Sequence, residues 1–202
     1  ISTNAYRDLI DFGNTDPDSR NKTEAAIILG LPGDTKQKHY ESIKFAVDNN
    51  VTFVRMFQLM LLPGTEMASQ KDRKKFGFKT KFRVIPGALG NYDILDKKYS
   101  IAEIEEIVIA NNTLSYDDYI DCRVMNLLVT TFYNTSIFEE IFVMLRAMNI
   151  SRHECLVYLK EHKELYSKKI NNIIKQFIKG TTEDLYDTRE DANEFVLSPD
   201  II

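Results

Sequence analysis

Ile27-Ile28-Leu29-Gly30-Leu31-Pro32-Gly33-Asp34-Thr35 and Phe57-Gln58-Leu59-Met60-Leu61-Leu62-Pro63-Gly64-Thr65-Glu66-Met67 decide the fold. Each is an apolar run that stops at Leu-Pro-Gly. The first run begins at Ala25 and has the pattern of a strand buried on both faces. Asp34 or Thr35 can cap the helix that follows. That helix places Tyr40, Ile43, Phe45, Ala46 and Val47 at near-helical spacing, and Asn49-Asn50 ends it. Residues 51–59 then read as a second strand, Leu62-Pro63-Gly64 as a second turn, and Thr65 as a second cap. The two Leu-Pro-Gly triplets lie 31 residues apart, and a strand–helix unit of a parallel barrel or open sheet takes about 30 residues. The pattern predicts an α/β fold with an internal strand–turn–helix repeat. Two such units cannot close a barrel or cover a parallel sheet, so a piece of a larger protein is expected.

Outward from this core, Thr3–Phe12 reads as a short helix and Gly13–Asn21 as a polar connection. Lys71, Arg73, Lys74, Lys75, Lys79 and Lys81 make 68–81 strongly basic. This is a solvated helix and loop, or a rim that meets an anionic substrate or cofactor. Phe82–Ile85 predicts a short strand, Pro86-Gly87 and Gly90-Asn91 predict turns, and Tyr92–Leu95 predicts a returning strand. Beyond it the pattern turns helical. Ser100-Ile101-Ala102-Glu103 fits a capping box for a helix through Ile104, Ile107 and Val108. Ser115, Ser136 and Ser151 cap three more, and a fifth covers Tyr166–Ile178 and stops at Gly180. Thr181–Ile202 is acidic, weakly periodic and expected to be irregular. The chain divides into 1–81, the strand–helix part, and 82–202, a short hairpin with a helical region.

Composition bounds the function. Of 202 residues, 44% are apolar, 28% are charged, and the net charge is −4. There is no basic excess for nucleic acid and no apolar run long enough for a membrane span. A cytoplasmic location is expected. The chain opens on Ile1 with no charged-then-apolar signal region, which again predicts a piece of a longer chain. Cys122 and Cys155 stand 33 residues apart and read as packing residues rather than metal ligands. His39, His153 and His162 lack ligand spacing, and Asp117-Asp118 and Glu139-Glu140 suit helix starts. No metal site and no catalytic residue is predicted within this chain.

Ligands of parallel sheets bind at the carboxyl ends of the strands. There Gly30 and Gly33 remove side chains, Pro32 stiffens the turn, and helix N-termini near Thr35 and Thr65 offer free N–H groups. Such a turn is also an ordinary connection. Taken together with Lys81-Phe82-Arg83-Val84-Ile85-Pro86, Gly90-x-Tyr92 and an expected helix bearing Glu103, Glu105 and Glu106, the paired turns resemble the fifth and sixth strands of radical SAM enzymes. The likeness spans roughly 1–135 and points to the branch with a cobalamin-binding N-terminal domain, which includes magnesium-protoporphyrin IX monomethyl ester oxidative cyclase-like proteins. It implies the last strand–helix units of a partial TIM-like barrel, with S-adenosylmethionine, a 4Fe–4S cluster and cobalamin in the parent enzyme. By the same likeness, Ile28, Gly30, Leu31, Pro32 and Gly33 lie beside the adenine, and Gln58, Leu59 and Met60 complete that side. Ile28 reads equally as core packing. Gln58 is an amide in an apolar strand and must find a partner. Arg55 and Arg83 are weaker candidates for a carboxylate of substrate or cofactor.

Two departures matter. Ala26 stands where many relatives carry an acid near the ribose, and the nearest acid is Glu24, about 6.5 Å further along the strand. The family's C-x3-C-x2-C cluster loop is not in this sequence, so no catalysis, and no bound cofactor, is expected of this chain alone. The parent's reaction would be radical methyl transfer, cyclisation or rearrangement of a small molecule. A helical interaction module on an α/β scaffold is the competing reading. An exposed apolar patch within 1–60 would mark the missing barrel, and one within 100–178 a partner site. Another kind of nucleotide-binding domain is disfavoured, because neither a G-x-x-x-x-G-K-[ST] loop nor a G-x-G-x-x-G fingerprint occurs. An open barrel edge could also pair two copies artefactually.

Overall fold

The computed structural model describes residues 3–15 and 23–196. The polar connection around Pro17 and the last six residues lie outside them. Strands β1 (Glu24–Leu29) and β2 (Phe53–Gln58) are parallel, in register from Glu24↔Phe53 to Leu29↔Gln58. Helix α2 (Lys36–Asp48) connects them. Its start is the expected one: the Thr35 hydroxyl accepts from the Lys38 N–H at 3.1 Å, satisfying an orphan donor of the first turn.

Burial alternates with a period of two along both strands. Ala25, Leu29 and Val54 are buried toward the helices, whereas Ile28 is 41% and Phe57 45% exposed on the other face. The expectation of strands buried on both faces is therefore corrected: helices cover one face only.

The second Leu-Pro-Gly turn does not repeat the first. Thr65 makes no side-chain cap and leads into a single 3-10 turn, Glu66–Ala68. Helix α3 (Gln70–Phe76) is only 7 residues long and is capped by Ser69. Instead of ending, the path of β2 changes partner. Leu59 N–H still donates to Leu29 O at 2.9 Å, but Val108 N–H donates to Leu59 O and Leu61 N–H to Glu106 O, each at 2.9 Å. The second unit thus continues the sheet antiparallel. The fold is mixed α/β.

That antiparallel neighbour overturns the expected Ser100-capped helix. Residues Lys79–Ile94 (β3) and Lys97–Ala110 (β4) form one long antiparallel hairpin. Strand β3 runs through Pro86-Gly87 and Gly90-Asn91, with a register shift between Val84 and Leu89 in place of a reversal. The reversal is at Leu95-Asp96, with φ of 49° and 64°, the left-handed pair of a two-residue hairpin turn. Two non-local causes override the capping signal. Ile107–Ala110 is buried at every position, as a central strand is. Glu105 and Glu106 meet arginines, Arg83 across the hairpin and Arg73 from α3.

Helix α1 (Thr3–Thr15) precedes the sheet. After it come α4 (Tyr116–Leu128), a π-helical turn (Val129–Tyr133), α5 (Glu139–Ala147), α6 (Arg152–Glu161), α7 (Lys168–Glu183) and α8 (Arg189–Val196). Ser115 and Ser151 cap α4 and α6 as expected. Ser136 does not cap α5, which starts after Phe138. Helix α7 starts after Ser167 and passes Gly180 before ending at Glu183. The tail expected to be irregular contains α8.

One core joins α2, α4 and α6 to the sheet through Ile43, Val47, Val54, Met125 and Leu156. A second joins Leu29 to Ile107, Leu114, Tyr119 and Cys122. Between α2 and α4, His39 Nε2 donates to Asn126 Oδ1 at 3.0 Å, both residues buried. Asp121 of α4 ties the same helices together: it accepts from Tyr40 at 2.8 Å and pairs with Lys36 at 2.7 Å and with Lys160. No helix among the described residues is long and apolar enough to cross a membrane.

Candidate functional site

The first Leu-Pro-Gly turn is a built structure. Gly30 has φ +96° and Gly33 φ +76°, a region that side chains disfavour. Asp34 folds back, its Oδ2 accepting from Gly30 N–H at 3.0 Å and its own N–H donating to Leu31 O at 2.9 Å. Lys38 Nζ donates to Gly33 O at 2.9 Å. From the loop after β4, Asn111 Nδ2 donates to Gly30 O at 3.1 Å and to Leu31 O at 3.3 Å. Asn111 Oδ1 accepts from Thr113 N–H at 2.8 Å and Leu114 N–H at 2.9 Å, and the Thr113 hydroxyl donates to Asp34 O. Asn111 and Thr113 were missed as site residues. Asn-Asn-Thr reads as a turn, and nothing in the sequence shows that its partner lies 80 residues away.

Beside this turn runs a cleft of about 780 Å³, within the size range of small-molecule sites. It follows the edge of β1 that no described strand pairs with, and α2 forms its other side. Ile28, Leu31, Pro32 and Gly33 line it. Lys38 and His39 join them at the start of α2. Burial holds the His39 imidazole below its ordinary 6.5, so it is neutral at pH 7.

The other predicted residues are dispersed by the pleat. Gly30 lies under the turn, packed toward Leu59 and Val108. Leu59 is buried with Leu61 and Val108. Met60 is exposed and lines a separate cavity of about 470 Å³ with Leu62 and Ile104. Gln58 faces away from Ile28, its Oε1 accepting from Arg83 Nη1 at 2.8 Å. The required amide partner is thus a protein side chain. Arg83 also pairs with Glu105. Arg55 lies on the exposed face and grips Glu24 with two hydrogen bonds, at 2.6 and 3.3 Å. Both arginines therefore already have carboxylate partners.

Fit to the implied groups differs. The open face of β1 and β2, with Ile28, Phe53 and Phe57, supplies apolar surface for a flat heterocycle, and a Cβ on Gly33 would meet nothing within 4 Å. A cluster does not fit: no group of three His, Cys, Asp or Glu among the described residues could hold a metal ion. Burial and the neighbouring Asp121 push the Cys122 thiol up to about 12, and burial raises Cys155. Neither thiol is disposed to ionise near neutral pH.

Among the exposed apolar residues, two groups bear on function. One set, Ile28, Leu31, Phe53, Phe57, Met60 and Leu62, surrounds the strand ends. The other runs along 137–150, with Ile137, Ile141, Met144 and Met148. No family model matches the chain, and no curated protein matches it.

Proposed function

We propose that this chain forms the closing part of the barrel of a cytoplasmic radical-SAM-type enzyme acting on a small molecule. In this reading the open face of β1–β2 and the Leu31-Pro32-Gly33 turn make the adenosyl wall of the S-adenosylmethionine site. The observation that carries it is the pairing of Ile28 with Phe57, apolar and half-exposed, beside an unpaired strand edge and a turn held rigid by Asp34 and Asn111. An apolar parallel pair left open on one face and one edge calls for further strands and a ligand. The cluster, and cobalamin in the branch concerned, would be bound by other segments of the parent, since the ligand set is not here. No reaction step is assigned to residues of this chain.

The test is the coding sequence that precedes the first residue, with the protein it encodes. A C-x3-C-x2-C loop is expected there, with a thiolate-ligated cluster on anaerobic reconstitution and S-adenosylmethionine binding that Ile28→Asp abolishes. An upstream sequence without such a loop refutes the reading. A second reading, a helical interaction module, draws on the apolar residues exposed along 137–150. A full-length protein that binds no S-adenosylmethionine would favour it.

A further inference from the structure

Arg123 of α4 is a partly buried cation with no ion-pair partner among the described residues. Its Nε is shielded from solvent and has no hydrogen-bond partner, and no hydrogen bond or ion pair ties the guanidinium to any other described residue. Its nearest compensation is the Phe177 ring, with Cζ 5.3 Å from the centroid. Shielding an unpaired charge from water is costly, and a ring face offsets only part of that cost. Arg83 stands close enough to add repulsion, and burial with that neighbour holds Arg123 below its ordinary value.

The two arginines share a cavity of about 240 Å³ between β3, β4, α4 and α7. Its remaining wall is largely apolar, from Ile107, Tyr119, Phe177 and Leu185. We propose that this cavity binds the carboxylate of a small apolar or aromatic acid, with Arg123 as its partner and Arg83, already paired with Glu105, lining the cavity beside it. A planar guanidinium fork matches the two oxygens of a carboxylate, and the apolar wall suits the body of the acid. A dianion such as phosphate fits less well. Gly180, Thr181 and Asp184, also in the lining, lie at the C-terminal end of α7, where the helix dipole is negative. The site is on the helix-covered side of the sheet, opposite the face of Ile28, and does not depend on the reading given above.

The experiment uses the whole 202-residue chain with benzoate as probe, and acetate and inorganic phosphate as controls, read by calorimetric titration and by arginine side-chain NMR. Benzoate is expected to bind saturably, at least ten-fold more tightly than acetate or phosphate, and to shift the Arg123 Nε resonance. Arg123→Met is expected to weaken benzoate at least ten-fold while raising the Tm of the ligand-free protein, because an unpaired charge is removed. Should Arg123→Met not fold, Arg123→Lys, which keeps the charge and loses the fork, is expected to weaken benzoate to a similar degree. Three results would overturn the proposal: no saturable benzoate binding, tighter binding of phosphate than benzoate, or benzoate affinity unchanged in both variants. An Asp184→Asn variant decides whether that carboxylate is the true partner. Benzoate affinity that holds or rises supports the site, and loss of the Arg123 resonance position without ligand sinks it.

Discussion

Replacing Asn111 with Ala tests whether the loop after β4 holds the Leu-Pro-Gly turn in place. The side chain donates to two backbone carbonyls of the turn, Gly30 at 3.1 Å and Leu31 at 3.3 Å, and accepts from the N–H groups of Thr113 at 2.8 Å and Leu114 at 2.9 Å. Each such hydrogen bond contributes about 1 kcal/mol net. Asn111 is half-buried, so water recovers some of the freed groups, and the expected loss is about 2–3 kcal/mol. For a chain of this size that is a fall in Tm of roughly 5–10 °C. Denaturant titration gives the free energy through the midpoint at constant slope. Asn111→Asp separates the two halves of the effect, since it keeps the acceptor, loses the donor, and sets a negative charge beside carbonyl oxygens. It should cost at least as much as Ala. An Asn111→Ala variant within about 0.5 kcal/mol of the parent would show that the turn stands without Asn111, and the role given to that side chain would be wrong.

Leu29 is fully buried between the sheet and α4, and Leu29→Ala is expected to cost roughly 3 kcal/mol by denaturant titration. His39 and His153 are both buried and held below their ordinary 6.5 by burial. The unfolded chain therefore takes up protons near that value which the folded chain refuses. Stability is full above the unfolded value and falls as the pH drops toward the folded one, by at most about 1.4 kcal/mol per pH unit per histidine. Urea midpoints from pH 7 to 5 should show this slope, and His39→Gln should reduce it; an unchanged slope in that variant would remove His39 from the account. Leu95 is 92% exposed and, with Asp96, holds left-handed backbone at the hairpin tip. Leu95→Asn with Asp96→Gly is expected to stabilise by about 0.5–1 kcal/mol and to slow amide exchange across β3 and β4.

Elements whose signals are local were legible. Helices α2, α4 and α6 each begin with a hydroxyl residue followed by an apolar period, and Thr35, Ser115 and Ser151 cap them. Strand β4 was not legible, because its determinants are distant: Glu106 meets Arg73 and Thr80, and Glu105 meets Arg83. Helix α8 was legible but overlooked. Thr188 and Asp191 cap each other reciprocally, Thr188 N–H to Asp191 Oδ2 and Asp191 N–H to Thr188 Oγ1, and Thr188-Arg189-Glu190-Asp191 carries that signal. Arg123 was invisible for another reason. An arginine on a helix reads as a surface charge until the strands and the helix that enclose it are known.

The predicted site residues scattered because a strand delivers its side chains to two places. Ile28 and Gln58 sit on neighbouring parallel strands, one step apart in register, since Ile28 pairs with Phe57 and Leu29 with Gln58. One step inverts the face. Residues read along the chain as one wall, Ile28 and Gln58, therefore face opposite sides of the sheet, and the residue beside Ile28 is Phe57. Gln58 is turned through the sheet toward Arg83, whose neighbour is the unpaired Arg123. The amide that stood out in an apolar strand has its partner, Arg83, on the covered side. A polar residue in a strand signals a partner across whichever face it meets, and only the register says which face that is.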